Sequence, residues 1–280
     1  MALFINASAF NHSCVANTYW NLVGDVLVVR ARTPIKKGKE VYISRSYLLA
    51  ASRDPEMHDL TLEPHFPKSG CPCAFCASLR RDGPDVIQER IRLDEELGYV
   101  ETEFSKRVLE HHDLQTLNRL GKQHSTLLKQ LQATWRDDNT QPRPVLAHHY
   151  AFATRILLTV DPGRGIVDKG NMSELVYRLL QATGAEFYLT PDRLYFTTAP
   201  LCASYWLGVG LTAIAVYYAD QGTKEGDRQA VGFLTLVADL SRLEHGDDTE
   251  RWWRRDGARL VRYERFKEHV FKGLSSAVRA

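Results

Sequence analysis

Residues 71–76 read CPCAFC, and this stretch constrains the fold more strongly than any other part of the chain. Cys71, Cys73 and Cys76 lie close enough in sequence to bind one metal ion through their thiolates. Zinc in a closed structural site takes four ligands, so the triplet needs a fourth ligand from elsewhere in the chain. The spacing therefore predicts a zinc knot that ties a distant segment to residues 71–76.

Several side chains could supply the fourth ligand. A set of four cysteines is a common closed zinc site, which favours Cys14. Cys202 suits the role less well because it lies inside a predicted apolar helix. The other candidates are His12, His58 and His65. A triplet that packs without a metal, or one completed by His65, is the alternative interpretation.

Composition and charge limit the class of protein. Of the 280 residues, 44% are hydrophobic and 25% are charged, which is typical of an ordinary soluble globular protein. The formal net charge of +2 gives no general electrostatic footprint for direct contact with nucleic acid or with anionic membranes. The cysteine count of 5 is odd and clustered, unlike a secreted disulfide framework. We therefore expect residence in a reducing compartment, nuclear or cytoplasmic.

The N-terminal region reads as short strands and turns. Runs rich in Val, Ile, Tyr and Trp at 18–22, 25–31 and 40–44 predict strands. Prolines at positions 55, 64 and 67 interrupt the segment that follows, up to the cysteine cluster. We predict a β-rich unit at 1–50 and a zinc-binding segment at 51–83.

Helical spacing of apolar residues dominates after Pro84. The chain as a whole is therefore predicted to be α+β, with a mainly helical C-terminal domain at 84–280. The histidine pairs at 111–112 and 148–149 lie on such stretches, and we interpret them as packed or solvated side chains without a functional role. Helices are predicted at about 86–97, 103–135, 145–159, 172–183, 201–219, 228–243 and 250–277.

One uncharged stretch, 194–219, is long enough to span a bilayer. Pro200, Gly208 and Gly210 interrupt its apolar character, and charged helical segments flank it on both sides. Long apolar helices also occupy the centre of large helical domains. We interpret the stretch as a buried helix and expect no membrane contact.

Two further segments carry a family resemblance. Residues 11–17, Asn-His-Ser-Cys-Val-Ala-Asn, resemble the NHSC-x-PN motif of SET-domain protein-lysine methyltransferases, with Ala16 in place of the usual proline. Residues 29–44 are similar to the strand pair of that family that contains RA, GEE and ISY elements. The cysteine triplet follows where the family has its post-SET segment. The chain looks closest to the SMYD-like branch, and the match covers roughly the first 80 residues.

The resemblance implies specific roles. Cys14 would share one zinc ion with the triplet 71–76, and the knot would close one wall of the channel for a target lysine. Asn11 and His12 would line the pocket for the cofactor S-adenosylmethionine. The implied partner is a protein substrate that presents a lysine side chain.

Methyl transfer from a sulfonium to a neutral amine needs alignment and desolvation more than acid or base catalysis. In the family a tyrosine after the Ile-Ser pair helps to orient the amine, but Arg45 follows Ser44 here. Arginine is a permanent cation and would repel both reactants. Tyr47 is the candidate catalytic residue, provided that a small bulge brings its hydroxyl to the tyrosine position.

The family also has a Gly-x-Gly loop that holds the methionine part of the cofactor, and no such loop precedes Asn11. We therefore expect a truncated SET-type protein whose activity and S-adenosylmethionine binding, in these residues alone, are weak or absent. The alternative is a non-catalytic SET remnant that acts as a protein-interaction module through its helical domain.

Overall fold

A computed structural model of the chain describes residues 9–23, 25–44, 71–110, 113–136, 142–160, 169–189, 194–198, 200 and 204–245. Several residues and one helix considered above lie outside this part: Arg45, Tyr47, His58, His65, His111, His112, Cys202 and the predicted helix 250–277.

Four short strands form the N-terminal unit, which we call the head. β2 and β3 make an antiparallel hairpin in which Thr18 faces Ala31. β1 pairs in parallel with β4, so that Asn11 lies beside Tyr42. Gly38, with φ of 84°, adopts the left-handed conformation in the turn before β4, which a residue with a Cβ rarely does. The strands are β1 (Asn11–His12), β2 (Thr18–Val23), β3 (Val26–Ala31) and β4 (Tyr42–Ile43).

Asn17 holds the two strand pairs together. Its side-chain oxygen accepts a hydrogen bond of 2.8 Å from the backbone N–H of Tyr42. Its side-chain amide donates one of 2.8 Å to the backbone carbonyl of Glu40. One asparagine thereby satisfies backbone groups that the very short strand β4 leaves without ladder partners.

Helices make up most of the remaining described chain, which is α+β as predicted. A second hairpin, β5 (Glu186–Leu189) and β6 (Leu194–Thr198), interrupts them. The helices beyond the first, together with this hairpin and the described residues that connect them, form what we call the body. The seven helices in the described part are α1 (Ala74–Arg81), α2 (Pro84–Leu109), α3 (Leu114–Ala133), α4 (Pro144–Val160), α5 (Lys169–Thr183), α6 (Ser204–Ala219) and α7 (Lys224–His245).

Two helix predictions are wrong in their boundaries. The stretch 103–135 is broken, because Asp113 begins a new helix by accepting a hydrogen bond of 2.8 Å at Oδ1 from the backbone N–H of Thr116. The segment before that break joins the predicted helix 86–97 into one helix, α2, which continues through Gly98. The hairpin β5–β6 was not predicted.

The uncharged stretch supplies a buried helix. Leu207, Leu211 and Ile214 of α6 are each 0% exposed. They belong to one core cluster together with residues of α2, α3, α4, α5 and α7. Among the helices described, none is both long enough and apolar enough to cross a membrane.

Arg32 joins the head to the body. Its guanidinium donates hydrogen bonds to the backbone carbonyl of Ala16, at 2.8 Å, and to that of Pro200, at 3.1 Å. A third, of 3.3 Å, goes to the carbonyl of Gly184. The planar fork of arginine suits such a multiple contact, which a lysine could not reproduce.

Candidate metal centre

The four cysteines of interest approach from two segments. Cys14 lies two residues after the end of β1. The backbone N–H of Ser13, between them, donates a 3.1 Å hydrogen bond to the carbonyl of Ile43, which extends the β1–β4 pairing toward Cys14. Cys71 and Cys73 precede α1, and Cys76 lies in its first turn. The loop before α1 and the first turn of the helix together bring the three thiols close to one another.

Their sulfur atoms form one group, which we call the four-sulfur cluster: Cys14, Cys71, Cys73 and Cys76. All four Sγ atoms lie within 4.8 Å of one another, and those of Cys14 and Cys76 are 3.5 Å apart. Four sulfurs bound tetrahedrally to zinc at about 2.3 Å would be separated by about 3.8 Å. The spacing of the cluster therefore fits a closed zinc site, with Cys14 as the fourth member.

Apolar side chains cover the cluster. Cys14 and Cys71 are 0% exposed, and Phe75 and Leu79 of α1 pack against them in a small core of their own. Arg80 donates a 2.9 Å hydrogen bond to the carbonyl of Cys71, which fixes the loop before α1. Such a small apolar core depends on a cross-link for its stability.

Hydrogen bonds between the thiols shift their pKa values in opposite directions. The contact with Cys71 raises the pKa of Cys14, and the same contact lowers the pKa of Cys71. A hydrogen bond with Cys14 lowers the pKa of Cys73 to about 6. Zinc binds cysteine as the thiolate, so a bound ion would offset the negative charge of the four sulfurs.

The predicted cofactor residues lie next to this cluster. Nε2 of His12 is 3.2 Å from Sγ of Cys14, so the imidazole lies against a sulfur atom. Asn11 is exposed, and its side-chain amide donates to the carboxylate of Glu40. Glu40 also accepts a 2.7 Å hydrogen bond from the hydroxyl of Tyr42.

A second group of polar side chains is buried in the body and was not predicted from the sequence. We call it the histidine–carboxylate cluster: Asp94, Glu101, His124 and His149. Burial opposes ionisation of Glu101, yet hydrogen bonds from His124 and His149 lower its pKa to about 2. Burial also acts against a charged His149, but its hydrogen bonds with Asp94 and Glu101 raise its pKa. In the sequence, the only sign of this cluster is that its polar residues lie among apolar residues on predicted helices.

Two comparisons with known proteins gave no match. A scan against protein-family models gave no match, and a search of curated proteins gave none either. The function therefore has to be inferred from the chain's own residues.

Proposed function

We propose that this chain is a zinc-anchored SET-type protein, related to the S-adenosylmethionine-dependent protein-lysine N-methyltransferases. The observation that carries the proposal is the four-sulfur cluster. It joins the cysteine of the Asn-His-Ser-Cys motif to the triplet that ends at Cys76, 62 residues further along. The spacing of the sulfurs suits zinc.

The strand pairing adds support. The two segments that carry the resemblance lie side by side, since Asn11 and His12 pair with Tyr42 and Ile43. The hairpin of β2 and β3 connects them and overlaps the region 29–44, which carries the second part of the resemblance.

A metal ion in the four-sulfur cluster would hold Asn11 and His12 in place. These two residues are proposed to line the cofactor pocket, and we call them the cofactor wall. His12 lies two residues before Cys14 and contacts its sulfur, so a bound zinc ion would hold both the backbone and the ring of His12 in place. Asn11 next to it offers an exposed amide for a polar cofactor group. When bound, S-adenosylmethionine would supply the electrophilic methyl group, and the chain would orient it and exclude water. Tyr47 remains our proposal for the hydroxyl that orients the lysine amine.

Two measurements on the full chain test the proposal. Mass spectrometry of metal content should find one zinc per chain that thiol-reactive mercurials release. NMR titration with S-adenosylmethionine should then shift the amide signals of Asn11 and His12, even if binding is weak, and leave the body unchanged.

Matched variants sharpen the titration. Asn11→Ala should abolish the shifts at His12, whereas Asn118→Ala, which replaces an exposed asparagine of α3, should leave them unchanged. A zinc-loaded head that shows no shift at any cofactor concentration would contradict the proposed cofactor wall. A folded chain without zinc would contradict the SET relationship itself.

One observation favours the interaction-module alternative. A cavity of about 760 Å³ lies between head and body, lined by residues that include Val15, Arg32, Phe187 and Tyr218. Its lining combines apolar and aromatic side chains with polar ones such as Gln181 and Glu186, and we propose that it receives a short segment of a partner protein. That alternative predicts that the zinc is retained and that the cofactor gives no shift at Asn11, so the same titration separates the two functions.

A further inference from the structure

Three long helices bring four ionisable side chains together at the centre of the body. Asp94 and Glu101 lie two turns apart on one face of α2, His124 lies on α3, and His149 on α4. They are 7%, 4%, 1% and 1% exposed, respectively. Charged and polar groups are rarely buried so deeply unless they are paired or bind a metal.

The ligand atoms of three of these residues converge. Oε1 of Glu101 is 3.0 Å from Nε2 of His124 and 2.8 Å from Nδ1 of His149. The three atoms lie within 4.8 Å of one another. One carboxylate oxygen and two imidazole nitrogens form a ligand set common to zinc and other first-row transition metals.

The orientation of His149 is an independent observation. Its other ring nitrogen, Nε2, lies 2.9 Å from Oδ1 of Asp94. Histidines that bind a metal almost always donate their second N–H to a carboxylate or carbonyl, which fixes the ring and the tautomer. The carboxylate of Asp94 is placed to accept the second N–H of His149. Glu101, on the same helix, contacts the ring nitrogen that would bind the metal.

The charges balance with a divalent cation. Ionised Asp94 and Glu101 contribute two negative charges, and histidines that bind a metal are neutral. Without a metal, a proton on His149 between the two carboxylates would offset only one of these charges. A cation of charge +2 would neutralise the cluster, whereas uncompensated carboxylates in this apolar setting would be costly.

We propose that Glu101, His124 and His149 bind one divalent first-row transition metal ion of the zinc type, with Asp94 as the positioning residue for His149. Three protein ligands leave one position of a tetrahedral site open. His148 closes the outer side of the cluster: it is 32% exposed, and its Nε2 lies 3.1 Å from Oε2 of Glu101. The site is separate from the four-sulfur cluster and does not rest on the SET-type function.

Cobalt substitution of the full chain tests the proposal, because it distinguishes the two metal sites. Co²⁺ bound to thiolates gives strong sulfur-to-metal charge-transfer absorption, and Co²⁺ bound to nitrogen and oxygen does not. We expect two Co²⁺ or Zn²⁺ ions per wild-type chain. One should leave with the charge-transfer band when a mercurial blocks the thiols, and the other should remain bound.

Variants then assign the remaining ion. Glu101→Gln should remove it while the charge-transfer band persists, and Asp94→Asn should weaken its affinity by roughly 10–100-fold. Glu96→Gln, which changes a half-exposed glutamate on the same helix, should leave both ions in place. Circular dichroism checks that each variant retains its helices.

The proposal fails if the wild-type chain loses all bound metal with its thiols, a result that does not depend on any variant folding. It also fails if a folded Glu101→Gln chain keeps the second ion. If all bound metal is lost with the thiols, the cluster is a hydrogen-bonded network in which a protonated His149 bridges two carboxylates.

Discussion

The four-sulfur cluster and the histidine–carboxylate cluster are both buried and polar, but they are built in opposite ways. The first takes three of its four sulfurs from residues 71–76 and lies in a small core beside short strands. The second takes its side chains from α2, α3 and α4, inside the large core of the body. A site with adjacent ligands leaves a pattern in the sequence, whereas a site assembled by helix packing becomes visible only after the helices are in contact.

The head and the body should also differ in what stabilises them. In the described part of the chain, the head packs on a small apolar core that includes Phe75 and Leu79 of α1, so it should depend on metal binding. The body has a core that extends over six helices and should remain folded when one polar group is lost. Substitutions in the two regions should therefore differ in their cost to stability.

The largest effect should follow from Cys73→Ser. Zinc binding contributes about 10–16 kcal/mol in small zinc-dependent domains, so losing one ligand should cost on the order of 5 kcal/mol in the head and abolish stoichiometric zinc. Hydrogen exchange should accelerate in 11–44 while α2 to α4 stay protected. Cys202→Ser is the matched control and should keep zinc. Loss of protection throughout the body would show that the two regions do not unfold separately.

Glu101→Ala should come next. It removes a buried charge that His124 and His149 both contact, and breaking a buried pair costs about 3–5 kcal/mol. Denaturant unfolding followed by circular dichroism should detect this loss in the body. Glu174→Ala, which breaks an exposed pair with Arg178, should cost less than about 1 kcal/mol. Equal costs for the two variants would contradict the importance of the buried cluster.

Arg32→Ala tests the connection between the regions. Hydrogen bonds from a charged donor contribute about 1.5–3 kcal/mol, and this arginine donates to both regions. We expect a loss of that size, with two separate unfolding transitions in calorimetry where the wild type shows one. Arg92→Ala, at an exposed ion pair of α2, should leave a single transition.

The smallest effect should come from Asp113→Ala, which removes the N-cap of the helix that carries His124. Loss of such a cap costs about 1 kcal/mol. Asp113→Asn keeps an acceptor and should be nearly neutral in thermal unfolding. Neither variant should change the number of bound metal ions, and a change would mean that the cap also positions His124.

Local patterns in the sequence explain which features could be predicted. The hairpin 18–31 follows from β-branched and aromatic residues around a Gly-Asp turn, and the buried helix α6 follows from its uncharged composition. The approach of Cys14 to the triplet followed from the ligand number of zinc and from the resemblance. These inferences needed only neighbouring residues or one simple chemical rule.

Other features depend on tertiary contacts. His149 looked like an ordinary packed histidine, because its partner Glu101 is 48 residues away on another helix. The hairpin β5–β6 was missed since its aromatic residues also fit a helix-rich region, and Phe187 finds its partner Phe233 only on α7. The break at Asp113 was missed because apolar spacing continues across it.

The contact between Arg32 and the carbonyl of Pro200 spans 168 positions of the chain. At about 5–20 residues per second, the ribosome needs roughly 8–34 s to synthesise that stretch. The hairpin can form early in this interval, but the arginine has no carbonyl at Pro200 to bind until most of the body has emerged. The speed of translation therefore sets how long the newly synthesised head remains accessible to chaperones before Arg32 can bind the body.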